Sequence, residues 1–381
     1  MHIQTTHVGS LPRGPELVPL LLDRDHGRSY DVAAFDRVVQ DAVRDAVDRQ
    51  VAAGVSIVSD GELGKVGYST YIKERLSGFG GNVSRLPALD LAPHPELRKK
   101  LAVIMGDQDF VRASCIGPVR LVDPQPCRDD IRRFGFALAG RPVQAFMNAA
   151  SPGLITAFQP NAYYPSHEAY LADLVTAMRA EYEEIVAAGF QLQLDCPDLA
   201  MSRHTGYQAL SEAEFLQVAA ANVEALNAAT ARIAPERMRM HVCWGNYEGP
   251  HDCDIALEKV IGIILRARPA TILFEAANPR HEHEWKVWAG ARIPQDKILA
   301  PGLIDTCSNY VEHPELIAQR IERYAGIVGA DRVVASTDCG FGTFAGYGKI
   351  DPGVTWKKLL ALRAGADIAA ARLGAQAVVT A

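Results

Sequence analysis

The sequence predicts a closed (β/α)₈ barrel with its chemistry at one rim. Three observations point to it. Short apolar runs alternate with longer segments whose apolar residues recur every three or four positions. The alternation repeats often enough to fill eight β/α units, which favours a closed barrel over an open parallel sheet. Polar, metal-ligating residues cluster at the C-terminal ends of the apolar runs, where such barrels place their chemistry.

In chain order, strands are expected near 5–10, 55–60, 190–195, 238–243, 271–275, 298–304 and 332–338, with one more within 142–156. Helices are expected near 31–53, 166–188, 211–232, 254–267, 313–328 and 354–372. Ser211 and Glu214 have the spacing of a capping box at one helix start. The stretch 77–150 breaks the rhythm. It holds Gly78, Gly80, Gly81 and many prolines, and it reads as an insertion over one barrel face, a lid or small subdomain. One catalytic domain spanning 1–381 is expected.

Composition narrows the function. The chain has 381 residues, a net charge of −6 and a sequence pI near 6.0, so it carries no basic footprint for nucleic acid. No apolar run reaches about eighteen residues, the length that would suggest a membrane span. The opening Met1-His2-Ile3-Gln4 has no basic region followed by an apolar stretch, so a cytoplasmic location is expected. Seven scattered cysteines in a chain this long suit free or metal-bound thiols better than a disulfide framework.

Four residues dominate the functional reading. His241 and Cys243 close the run Met238-Arg239-Met240-His241-Val242-Cys243. Positions i and i+2 of a strand point the same way, so both can grip one ion. Glu275 closes Thr271-Ile272-Leu273-Phe274-Glu275, and Cys339 closes the run from Val333. One imidazole, two thiolates and a displaceable carboxylate suit a catalytic Zn²⁺. Taken singly, each has an ordinary structural reading: a hydrogen-bonded histidine, a buried small cysteine, a paired carboxylate. It is the set, at three strand ends, that points to metal. His281 and His283 read better as loop and helix start, and His251 with Cys253 as loop. The chain has neither a dinucleotide fingerprint nor a Gly-x-Ser-x-Gly elbow.

At these residues the chain resembles the C-terminal catalytic barrel of cobalamin-independent methionine synthase. The motifs are His241-Val242-Cys243, Phe274-Glu275-Ala276-Ala277-Asn278-Pro279-Arg280 and Asp338-Cys339-Gly340, with His7-Val8-Gly9-Ser10 and Gln193-Leu194-Asp195-Cys196 in support. The stretches His241-Val242-Cys243-Trp244-Gly245, Gly249-Pro250-His251, Arg280-His281-Glu282-His283 and Val311-Glu312-His313-Pro314 also resemble epoxyalkane:coenzyme M transferase, a short relative.

The resemblance implies zinc held by His241, Cys243, Glu275 and Cys339. It implies a thiol substrate held through Ser10, Glu62 and Asp195, and a methyl or alkyl group passed to its sulfur. The expected function is a zinc-dependent thiol alkyltransferase, with homocysteine or a related thiol as acceptor. Epoxide opening by a thiol cofactor such as coenzyme M is the alternative. A metal-free decarboxylating lyase and a non-catalytic zinc protein are further readings. The partners are then a small thiol and an alkyl donor. Two departures stand out. The N-terminal half of methionine synthase has no counterpart in the chain, which weakens the case for a polyglutamylated folate donor. Asp305-Thr306-Cys307 replaces the family histidine after the seventh strand, so Asp305 or His251 is expected to deliver a proton. Tyr68, Tyr71 and Trp244 are candidates for the donor-pocket wall, with core packing as the alternative for each.

Overall fold

The structure, a computed structural model, describes residues 2–105 and 111–379. Residues 106–110, which fall within the expected insertion, lie outside the described residues.

The strands are β1 (Gln4–Thr5), β2 (Ile57–Val58), β3 (Phe79–Gly80), β4 (Ser114–Cys115), β5 (Gln144–Ala150), β6 (Gln191–Asp195), β7 (Met238–Val242), β8 (Thr271–Phe274), β9 (Ile298–Pro301) and β10 (Val334–Ala335). Six of them pair in parallel in the order β2-β5-β6-β7-β8-β9, and β1 pairs in parallel with β10. Two seams close the ring. Parallel bridges Leu299–Val333 and Gly302–Ser336 join β9 to β10. The Ser56 N–H donates to Thr5 O at 3.0 Å, and Thr6 Oγ1 donates to Ile57 O at 3.0 Å, joining β1 to β2. Closure satisfies backbone groups that an open edge would leave unpaired.

Val8, Ile57, Phe146, Leu273, Ala300 and Val334 pack inside the barrel. Arg239 is buried among them, with its guanidinium 3.8 Å from the Phe146 ring centroid. It donates to Gln193 Oε1 at 2.7 Å, Thr6 Oγ1 at 2.9 Å and His7 O at 2.9 Å. A buried charge is tolerable only with such partners. The larger apolar core lies between the strands and the surrounding helices.

Each expected helix is present: Val32–Ala52, His167–Ala187, Glu212–Ala229, Leu257–Ile264, Pro314–Val328 and Pro352–Val379. Ser211 and Glu214 form the capping box. Helices Leu17–Asp25 and Pro152–Phe158 have no counterpart in the sequence reading.

The expected insertion needs a new boundary. Helix Gln125–Leu138 and strand β5 belong to the barrel, so the inserted part ends near Pro124. The helix escapes sequence reading because its buried face includes Asp130 and Arg133. Asp130 is paired with Arg75 at 2.7 Å and Arg133 with Asp36 at 2.7 Å, so charge occupies what would otherwise be an apolar stripe. What precedes it is a small antiparallel β3–β4 ladder and helix Pro95–Met105. No helix among the described residues is long and apolar enough to cross a membrane.

Candidate active site

His241 lies in β7, and Cys243 follows that strand directly, on the same side of the chain. Cys339 stands four residues beyond the end of β10. The donor atoms of these three side chains all lie within 4.8 Å of one another. The two sulfurs are 3.9 Å apart. Two thiolates bound tetrahedrally at about 2.3 Å from zinc would sit about 3.8 Å apart, so the donor set fits that ion. All three residues are buried.

Glu275 is buried beside this trio but outside it. Its Oε1 accepts from the Trp244 N–H at 2.7 Å, and its Oε2 from Asn278 Nδ2 at 2.8 Å. The loop carrying it is held by Asp338, whose carboxylate accepts from the N–H groups of Ala276 at 2.8 Å, Ala277 at 2.8 Å and Asn278 at 2.9 Å.

The electrostatics favour a cation. The hydrogen bond that Cys243 gives Cys339, together with burial, pushes the Cys243 thiol well above its ordinary range. The same hydrogen bond holds the Cys339 thiol below that range, with His241 assisting. Two adjacent buried sulfurs do not both ionise unless positive charge joins them. Burial opposes a charged His241, but its contact with Asp195 and the nearby Cys339 outweigh burial and raise it to about 9.

The trio opens on a cavity of about 590 Å³ that Ser10, Glu62 and Asp195 also line. Glu62 sits in left-handed backbone at φ 56°, directly after Gly61 at φ 67°. A non-glycine residue held there costs on the order of 1–3 kcal/mol, and here the turn aims the side chain into the barrel mouth. Glu62 Oε2 is buried without a hydrogen-bond partner. Burial, with repulsion from Asp195, raises Glu62 to about 8. Asn148 Nδ2 and Gln193 Nε2 hold Asp195, at 3.1 Å and 3.2 Å. Tyr68, Phe158, Tyr207 and Phe344 form an aromatic wall.

Three expected site residues lie elsewhere. Trp244 is fully buried, with its indole N–H on Ile255 O at 2.7 Å, so it contributes a main-chain N–H to Glu275 and no cavity wall. His251 is absent from the cavity lining, and both ring nitrogens are engaged, Nδ1 with Asp254 at 3.1 Å and Nε2 with Tyr247 O at 2.9 Å. Asp305 is also outside the lining, with Oδ1 accepting from the Cys307 N–H at 2.7 Å. Spacing along the chain cannot show such local ties. Tyr71 serves the core, donating to Glu181 at 2.8 Å. His281 is buried between Asp254 and Glu284 and does not line the cavity, and His283 is exposed.

Sequence reasoning missed Asn148, Asp338 and Asn246. Asn246 lines the cavity and binds Gly340 O at 2.8 Å, next to Cys339. Only Asp338, adjacent to Cys339 in the motif, carried a signal.

The family model for the catalytic domain of cobalamin-independent synthase matches residues 152–348, half of the chain. The chain belongs to this family. Within it, the chain is 24% identical over 348 residues to a 5-methyltetrahydropteroyltriglutamate–homocysteine methyltransferase of Aeromonas salmonicida, covering 90% of this chain and 40% of that protein. A Proteus mirabilis protein of the same name is 23% identical, covering 89% and 40%. The chain thus spans about 40% of the length of the curated relatives it matches. Among solved structures, a B12-independent methionine synthase from Shewanella sp. W3-18-1, in complex with selenomethionine, aligns at a TM-score of 0.75 and 21% identity, covering 98% of this chain and all of that one. A putative vitamin-B12-independent methionine synthase from Listeria monocytogenes aligns at 0.65 and 19%, covering 97% and 99%. These two likenesses bear on the fold, and they agree with the expected (β/α)₈ barrel.

Proposed function

We propose that this chain is a zinc-dependent methyltransferase acting on the sulfur of homocysteine or a related thiol. One observation carries the reading: an imidazole and two sulfurs gather within 4.8 Å on the wall of a cavity that also holds two buried carboxylates. His241, Cys243 and Cys339 would hold the ion, with Glu275 beside them as the displaceable fourth donor. A bound zinc ion supplies one thing, a substrate thiol ionised at neutral pH.

The chain's own residues do the rest. Glu62, with an open buried oxygen, and Asp195 suit the ammonium group of an amino-acid thiol. Asn148 and Gln193 fix Asp195 so that the thiol is presented in one orientation. The aromatic wall offers a flat apolar surface to the methyl carrier. Fixing both reactants in line accounts for much of the rate. The inserted segment lines the cavity through Val83, Leu86 and Leu91 and adds apolar surface beside the aromatic wall.

The relatives' names support methyl transfer to homocysteine and lend nothing to epoxide opening. A metal-free lyase leaves the paired sulfurs without a task, and a metal store leaves Glu62 and Asp195 without one. The test is metal analysis joined to a methylation assay. Dialysed protein should hold about one zinc per chain, and Cys339→Ala should lose both metal and homocysteine methylation. Full methylation activity in metal-free protein would sink the reading.

A further inference from the structure

The inserted segment is fastened to the barrel by a buried acid. Asp90 is 2% exposed. Its Oδ2 accepts from the Tyr247 hydroxyl at 2.7 Å and from the His251 N–H at 3.0 Å. Beside it, the Leu89 N–H donates to His204 O at 2.9 Å, and Gln208 Nε2 donates to Pro87 O at 3.3 Å. Residues on both sides of Asp90, including Leu86, Leu91 and Leu101, line the cavity.

The receiving loop is shaped for this acid. It runs from Trp244 to His251, directly after Cys243. The Tyr247 ring lies inside it, against Gly245 and Gly249. A Cβ on Gly245 would come within 2.6 Å of the ring, and one on Gly249 would collide with it. Gly245 also has φ 132°, so glycine is needed there twice over. His251 is held at φ 53°, a conformation that costs energy in a non-glycine residue. In that conformation its N–H meets Asp90 while its ring stacks on Tyr247 at 4.2 Å. His204 Nε2 backs the Tyr247 hydroxyl at 3.3 Å, and Asp254 holds both His204 and His251. The loop's other end is the Trp244 N–H on Glu275. The stretch Trp244-Gly245 and Gly249-Pro250-His251 thus has a task apart from holding the donors.

We propose that Asp90 is a positioning residue: it latches segment 83–101 onto the loop after β7 and so holds in place the cavity wall that receives the methyl donor. The latch rests on the methyl-transfer reading only where turnover is measured. Amide hydrogen exchange needs no substrate and tests it directly. In Asp90→Ala, exchange across 83–101 should rise about tenfold or more, the order expected for losing a buried hydrogen bond to a charged group. Amides of β5 to β8 should keep their protection. Asp90→Asn, whose carbonyl oxygen keeps both acceptor positions, should restore most of it. In turnover, Asp90→Ala should raise the KM of the methyl donor about tenfold and change kcat less than twofold. If Asp90→Ala loosens the whole barrel, Tyr247→Phe decides, because it removes one bond and leaves the acid with the His251 N–H. Unchanged exchange across 83–101 in both variants, or a rise shared equally by β5 to β8 in both, overturns the latch. A local rise in a protein that methylates no thiol supports the latch and counts against the methyl-transfer reading alone.

Discussion

Asp338→Ala tests whether the loop bearing Glu275 is held from beneath. The Asp338 carboxylate accepts three main-chain N–H groups within 2.9 Å, and the Asn278 side chain at 3.1 Å. It is 2% exposed, so water does not replace these bonds freely. Each buried donor left unpaired costs about 1–3 kcal/mol. Three donors set a range of about 3–9 kcal/mol, and water entering the vacated space brings the expected loss to the lower end, about 4 kcal/mol. At about 2.1 cal/mol/K per residue, the 381-residue chain has an unfolding entropy near 0.8 kcal/mol/K, so the thermal midpoint should fall by about 5 °C. Because Asn278 also holds Glu275 at 2.8 Å, zinc affinity should fall as well. The assay is differential scanning calorimetry paired with metal analysis. Asp338→Asn keeps one acceptor oxygen and should lose about half as much. A midpoint within 1 °C of the parent, with metal content intact, would refute the reasoning.

Further outcomes follow from the same geometry. Glu275→Ala should weaken zinc binding less than loss of either sulfur does, as expected of a displaceable fourth donor beside a trio whose donor atoms already lie within 4.8 Å of one another. Cys243→Ser should abolish stoichiometric zinc, and equal losses in a competition titration would place Glu275 on a par with the sulfurs. Glu62→Gln should stabilise the protein in a pH-dependent way. The native carboxyl ionises near 8 and its unfolded counterpart near 4.5, so its destabilising effect grows as pH rises between those values. The variant's advantage in thermal midpoint should therefore grow from pH 5 to pH 8 and level off above; a constant advantage would contradict it. Gly302→Ala should lose about 1–3 kcal/mol in urea unfolding, because a Cβ there would collide with Asp338. An unchanged urea midpoint would show that the β9–β10 seam can yield.

The eight-stranded rhythm, and with it which residues stand at the C-terminal rim, is legible along the chain. Strand alternation placed His241 and Cys243 on one side, and the ends of separate apolar runs placed Cys339 and Glu275 near them, because in a closed parallel barrel those ends share one rim. What each rim residue faces depends on the loops that pack around it. The tertiary structure moved Glu275 onto Trp244 and Asn278, tied both nitrogens of His251 into its own loop and turned the Asp305 carboxylate onto Cys307. It also assigned 125–138 to the barrel wall, where Asp130 and Arg133 are buried as ion pairs that look like surface charge along the chain. The physical reason is range. Periodicity reports which way a side chain leaves its own backbone, while its hydrogen-bond partner is contributed by whichever loop folds against it.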